Sequence, residues 1–129
     1  MPRKPASQPT EVELLILNAL WEIGPSPVRE IHDAMQGDRD VAFTTTQKMV
    51  QVMADKGLLT KDDSTRPMRF APAMSRSDTQ LGLVDDLLQR AFGGAVDTLV
   101  MQALRTKGVS DQELEKINDV LKRIEGGDS

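Results

Sequence analysis

The chain has 129 residues, no cysteine and only four aromatic side chains, Trp21, Phe43, Phe70 and Phe92. Disulfides and thiolate metal sites are therefore excluded, and the interior must be built from Leu, Ile, Val, Ala and Met. A net charge of −4 and a pI near 5.0 count against an indiscriminate nucleic-acid binder, which would be strongly basic. No apolar run approaches the ~20 residues that span a bilayer, and residues 1–9 are polar with no apolar signal core. A cytoplasmic protein with no membrane partner is the expectation. The acid is uneven: residues 1–74 hold nine Lys or Arg against ten Asp or Glu, a net of −1, whereas residues 75–129 hold seven against ten, a net of −3.

Residues 1–9, with three prolines, read as a disordered tail. Thr10-Glu11-Val12-Glu13 has the spacing of a capping box and opens a helix to about Glu22 that buries Val12, Leu15, Ile16, Ala19 and Leu20. Gly24-Pro25 stops it. Ser26 can cap a second helix with Pro27 in its first turn; this helix runs to about Met35, buries Val28, Ile31 and Met35, and ends at Gly37-Asp38. A third helix runs from Phe43 to Gly57. Thr46, Met49, Val50 and Met53 form its inner stripe, and Thr44, Gln47, Lys48 and Gln51 share the opposite face. Leu58–Lys61 and Met68–Ala71 flank a turn-rich stretch and predict a β-hairpin, which must lean on the helices to be stable.

From Pro72 onward the pattern is helical. Ser75 or Ser77 caps a helix to about Phe92, whose apolar residues Leu81, Leu83, Val84, Leu87, Leu88, Ala91 and Phe92 cover half its circumference. Gly93-Gly94 breaks it. A shorter helix from Val96 to about Arg105 carries Leu99 and Val100. Ser110-Asp111-Gln112-Glu113 is a second capping box, and Leu114, Ile117, Leu121 and Ile124 form a seam on the last helix suited to another helix.

Three helices followed by a hairpin is the order of a winged helix-turn-helix domain, here residues 10–74. The helical domain 75–126 and a tail of 127–129 follow. The outer face of the third helix suits a major groove: Gln pairs with adenine, Lys reaches guanine acceptors, and Thr bonds a base or touches a thymine methyl. Lys56, Lys61, Arg66 and Arg69 add backbone charge. The opposing reading is an ordinary solvated helix face, in a protein-interaction module that shares the winged fold without DNA readout. Three short helices bury too little to stand alone, so the second half predicts a homodimer through Leu81, Val84, Leu87, Leu88, Phe92, Leu99, Val100, Leu114, Ile117, Leu121 and Ile124. The alternative is a monomer in which the fourth helix packs back on the first domain.

His32 is the only histidine, so it cannot build a multi-histidine metal site, and an exposed or phosphate-adjacent place is expected for it. Without cysteine, a second histidine or a glycine-rich phosphate loop, no catalytic apparatus is assembled. No enzyme activity, metal or cofactor is expected.

The segments Glu13–Trp21, Ala42-Phe43-Thr44-Thr45-Thr46 running into Lys56-Gly57-Leu58-Leu59, Arg69-Phe70-Ala71-Pro72, Leu87–Gly94 and Leu99-Val100 together resemble the penicillinase-repressor family (the BlaI/MecI/CopY type), from Pro9 to Gly126. The resemblance implies a dimeric winged-helix repressor acting on a double-stranded DNA operator. Its groove-facing residues would be Ala42, Thr44, Thr45, Gln47, Lys48 and Gln51. Relatives often carry Lys or Arg where this chain has Thr44 and Gln47. Copper-responsive relatives carry a cysteine cluster that this chain lacks. Antibiotic-responsive relatives are cut in the dimer domain after a sensor protease is triggered; the matching bond is Gln102–Ala103, where they show Asn–Phe.

Overall fold

The computed structural model describes residues 8–35 and 41–126; the expected stop at Gly37-Asp38, residues 1–7 of the expected N-terminal tail and the tail of 127–129 lie outside them. Among the described residues the order is α1 (Glu11–Ile23), α2 (Val28–Met35), α3 (Phe43–Asp55), β1 (Leu59–Asp62), β2 (Arg69–Pro72), α4 (Arg76–Phe92), α5 (Val96–Thr106) and α6 (Asp111–Glu125). The chain divides into two compact units between Val84 and Asp85, within α4.

In the first unit α1 opens on the Thr10–Glu13 capping box: the Glu13 N–H donates to Thr10 Oγ1 at 3.2 Å and the Thr10 N–H to Glu13 Oε1 at 2.9 Å. The helix buries Ile16, Leu17, Ala19 and Leu20 together with Glu13, while Val12 and Leu15 are only half-buried. The expected stripe was thus rotated slightly, because Glu13 is drawn inward by a partner remote in sequence. Its second carboxylate oxygen accepts from Lys56 Nζ at 2.8 Å. Burial alone raises the Glu13 pKa, but the Lys56 ammonium and the Thr10 N–H outweigh it and hold the carboxyl below its ordinary value of 4.5.

Ser26 does not cap α2. Its hydroxyl donates to the Gly24 carbonyl, and the Pro27 carbonyl receives the first helical N–H groups, from Glu30 and Ile31. The Ser26 backbone instead pairs with Phe70 through two bonds of 3.0 and 2.8 Å, adding a one-residue third strand to the hairpin. That pairing, with Leu59 and Phe70 buried, is how the hairpin leans on the helices. The strands pair antiparallel with Leu59 opposite Pro72 and Asp62 opposite Arg69, each beginning one residue later than the hydrophobic pattern predicted.

α3 ends in a Schellman motif. Gly57, at φ +87°, takes the left-handed position, its N–H bonds the Ala54 carbonyl, and the Leu58 N–H bonds that of Met53. Leu58 and Met53 are both buried, the apolar contact that accompanies this cap.

Ser75 caps α4, accepting the Asp78 N–H at 3.0 Å. Gly93 and Gly94, at φ +56° and +85°, end it, and the Ser110–Glu113 capping box opens α6. No residue of α5 or α6 is buried. No helix among the described residues is long and apolar enough to cross a membrane.

Replacing Lys56 with Met should cost about 1–3 kcal/mol of stability at neutral pH, a range that allows for the solvent exposure of the lysine. Because the folded carboxyl titrates below 4.5, the stability it contributes is complete above that value and is lost as pH falls through the folded pKa. Urea midpoints of wild type and K56M should therefore converge below about pH 4.5, and a constant gap down to pH 3 would contradict the pairing.

Candidate nucleic-acid interface

α3 separates its side chains by helical period. Thr46, Val50 and Met53 are buried, Met49 is half-buried, and Thr44, Thr45, Gln47, Lys48 and Gln51 are exposed with the N-cap residue Ala42. Thr46 is the polar member of the inner stripe, and it is satisfied there: its Oγ1 lies 2.8 Å from His32 Nδ1. His32 is therefore buried, at 8 % exposure, rather than exposed or phosphate-adjacent. Its ring meets Phe43 edge-on, with centroids 5.3 Å apart and planes at 89°. A Thr–His bond and an aromatic contact thus tie α2 to the first turn of α3.

The outward face carries Lys48 as its one cation and is free of acid until Asp55, to which Gln51 Nε2 donates a long bond of 3.3 Å. Among the described residues, the N-terminus of α3 has no side-chain cap and no acidic residue in its first turn to offset the positive end of its dipole. α1, by contrast, has its capping glutamate in this place.

The cations expected on the wing are distributed differently. Lys61 sits opposite Phe70 on the strand face that includes buried Leu59, while Arg69 sits opposite Asp62 on the other face. Both are exposed. Arg66 Nη1 donates to the Asp63 carbonyl at 3.2 Å, folding the guanidinium onto the turn. Ser64 and, less strongly, Arg69 hold the Asp62 carboxyl below its ordinary value. Lys56 is committed to Glu13, so its charge serves the fold. Nothing in the sequence singles out Arg29, yet its guanidinium carbon lies 3.9 Å from the Phe43 ring centroid. The ring that holds it belongs to the next helix, so no local pattern could reveal the contact.

Of the residues expected to pair two chains, Leu81, Val84, Leu87, Val100, Leu114, Leu121 and Ile124 are exposed, whereas Leu88, Phe92, Leu99 and Ile117 are half-buried. Val96, Met101, Leu104 and Val120 extend the exposed apolar surface beyond the expected set. Gln102 and Ala103 are exposed within α5.

Three helices followed by a hairpin wing define a winged-helix protein. The chain belongs to the penicillinase repressor family, whose model matches residues 9–123. It is 29% identical over 119 residues to the transcriptional regulator BlaI of two Mycobacterium tuberculosis strains, covering 91% of this chain and 85% of that protein. It is 18% identical over 109 residues to a penicillinase repressor from Staphylococcus aureus, covering 84% and 86%. A MarR family protein from Bacillus stearothermophilus has a similar fold, with a TM-score of 0.50 and 20% identity over 91% of this chain and 73% of that one.

Thr46→Val keeps the side-chain shape but removes the hydroxyl that bonds His32 Nδ1. It should cost about 0.5–1.5 kcal/mol by denaturant titration, the net worth of one intramolecular hydrogen bond. Wild-type stability in that variant would show that the bond does not hold α3 in place.

Proposed function

We propose that the chain represses transcription as a cytoplasmic homodimer on a palindromic operator, with the outer face of α3 in the major groove. The observation that carries this reading is the division of α3 itself: Thr44, Thr45, Gln47, Lys48 and Gln51 stand exposed on a helix anchored through buried Thr46, Val50 and Met53. Gln47 and Gln51 suit adenine, Lys48 suits guanine, and the threonine methyls suit thymine. Arg66 and Arg69 approach phosphates or the minor groove, and Lys61 lies on the same wing.

The case for pairing is the apolar surface of the second unit. Leu114, Leu121 and Ile124 on α6 are 47 %, 51 % and 69 % exposed. An amphipathic helix that leaves all of its apolar seam but half-buried Ile117 exposed calls for a second helix. A two-fold pairing supplies one and carries two reading heads that match half-sites one DNA turn, ~34 Å, or a multiple of it apart. Release by a sensor protease at Gln102–Ala103 would require α5 to unwind first. α5 buries no residue within its own chain, whereas α1 and α3 are anchored in the core, so local opening of α5 is less costly.

The deciding experiment titrates labelled duplex from upstream of the gene, with competitor DNA, at two salt concentrations. Lys48→Ala and Gln51→Ala should each reduce discrimination between operator and competitor by about 1–3 kcal/mol. Arg69→Ala should weaken both duplexes alike. An unchanged specificity ratio in Gln51→Ala would mean that α3 does not read bases, and sequence-blind binding by wild type would favour the protein-interaction module.

A double change of Leu121 and Ile124 to Lys should give a monomer by sedimentation that loses operator affinity while the first unit stays folded. A dimer that survives the change would place the pairing surface elsewhere.

A further inference from the structure

Arg29 is exposed on the first turn of α2, and its guanidinium carbon lies 3.9 Å from the centroid of the Phe43 ring. Phe43 is the first residue of α3. The edge of His32 supports the same ring, and Thr46 in turn holds His32 in the core. The guanidinium therefore rests on an aromatic support rooted in the interior, beside the end of α3 that has no side-chain cap and no acidic first turn. A cation this close to a ring centroid engages the ring face, which leaves the in-plane N–H fork of a stacked guanidinium free for a second partner. Among the described residues no carboxylate pairs with Arg29, although exposed Asp33 lies one turn further along α2.

A pre-oriented planar fork with no carboxylate partner among the described residues is matched to a phosphate, which accepts two parallel N–H bonds. We propose that Arg29 is a phosphate clamp that grips one backbone phosphate of the DNA beside the groove entered by α3, an assignment that rests on the reading of α3 as the groove-facing helix. The ring fixes the guanidinium before DNA arrives, so less side-chain freedom is lost on binding than for a lysine in solution. The clamp carries no sequence information; it sets where along the backbone α3 is presented. A purely protective role, in which the arginine stem only shields Phe43 from water, makes the opposite prediction about charge.

Arg29→Met keeps an unbranched apolar stem over Phe43 and removes the charge, whereas Arg29→Lys keeps a charge without the planar fork. Full-length wild type and both variants are titrated on the upstream duplex and on a scrambled duplex across a salt series, with thermal midpoints as a check on folding. The expected result for R29M is a loss of about tenfold on both duplexes alike. Its log K against log salt should be shallower by about 0.9 for each clamp engaged. R29K should keep the wild-type slope and lose part of the affinity. If R29M binds with wild-type affinity and slope, Arg29 is a cover for Phe43 and the clamp is refuted. Wild type that binds neither duplex would overturn the reading of α3 itself, and the clamp with it, so the two failures are separable. Should R29M fail to fold, an R29K variant that binds both duplexes with full wild-type affinity overturns the clamp on its own.

Discussion

The orientation of α3 about its own axis governs everything the first unit presents. An apolar stripe alone fixes that angle loosely, since Met49, Val50 and Met53 could be accommodated over a range of rotations. Thr46 narrows the range, because a hydroxyl buried to 1 % exposure must keep its partner, and His32 Nδ1 stands 2.8 Å away. Turning the helix by one residue, ~100°, would break that bond and bring Gln47 inward in place of Thr46. The polar outer face is thus a consequence of a polar contact on the inner one.

The two ends of α3 are treated in opposite ways. The C-terminal end is closed by Gly57, the Leu58–Met53 bond and the ion pair between Lys56 and Glu13, which ties it to the first turn of α1. The N-terminal end has a phenylalanine wedged between α2 and the start of the helix, but, among the described residues, neither a capping side chain nor an acid in its first turn. A closed rear and a first turn free of acid suit a helix that approaches an anionic surface. A capping glutamate there, as in α1, would set a carboxylate against the duplex in the proposed complex.

Local chemistry was legible in the sequence where it is complete within a few residues. The Thr10–Glu13 and Ser110–Glu113 capping boxes, the Gly24 and Gly93-Gly94 stops and the inner stripe of α3 all formed as their spacing predicted. The contacts that escaped it join residues remote in sequence. Ser26-Pro27 carries the same local signal whether Ser26 caps a helix or pairs as a strand, and only Phe70 decides between them. A lone histidine on a short helix gives no sign that Thr46 will bury it. Glu13 serves its cap and Lys56 at once, so its burial could not be read from the helical stripe, and Lys56 resembled a free surface cation. The one-residue shift of the hairpin has the same origin, since burial of Leu59 and Phe70 against the helices, rather than the turn residues, sets its register.

A net charge of −4 gives DNA no long-range attraction to this chain. Over distances beyond the Debye length, ~8 Å at physiological salt, the protein is at best neutral toward a duplex. Arg29, Lys48, Lys61, Arg66 and Arg69 nonetheless hold no ion pair among the described residues of the first unit. Binding must then arise from a few fixed cations at short range, so the position of each matters more than their sum. The same sparseness bears on selectivity. Affinity for arbitrary DNA comes almost wholly from phosphate neutralisation, and a surface with few cations has little of it. In the proposed complex a larger share of operator affinity then falls to base contacts on the outer face of α3, where Lys48 is the one cation, and selectivity, the ratio of the two affinities, gains from charge that the protein does not carry.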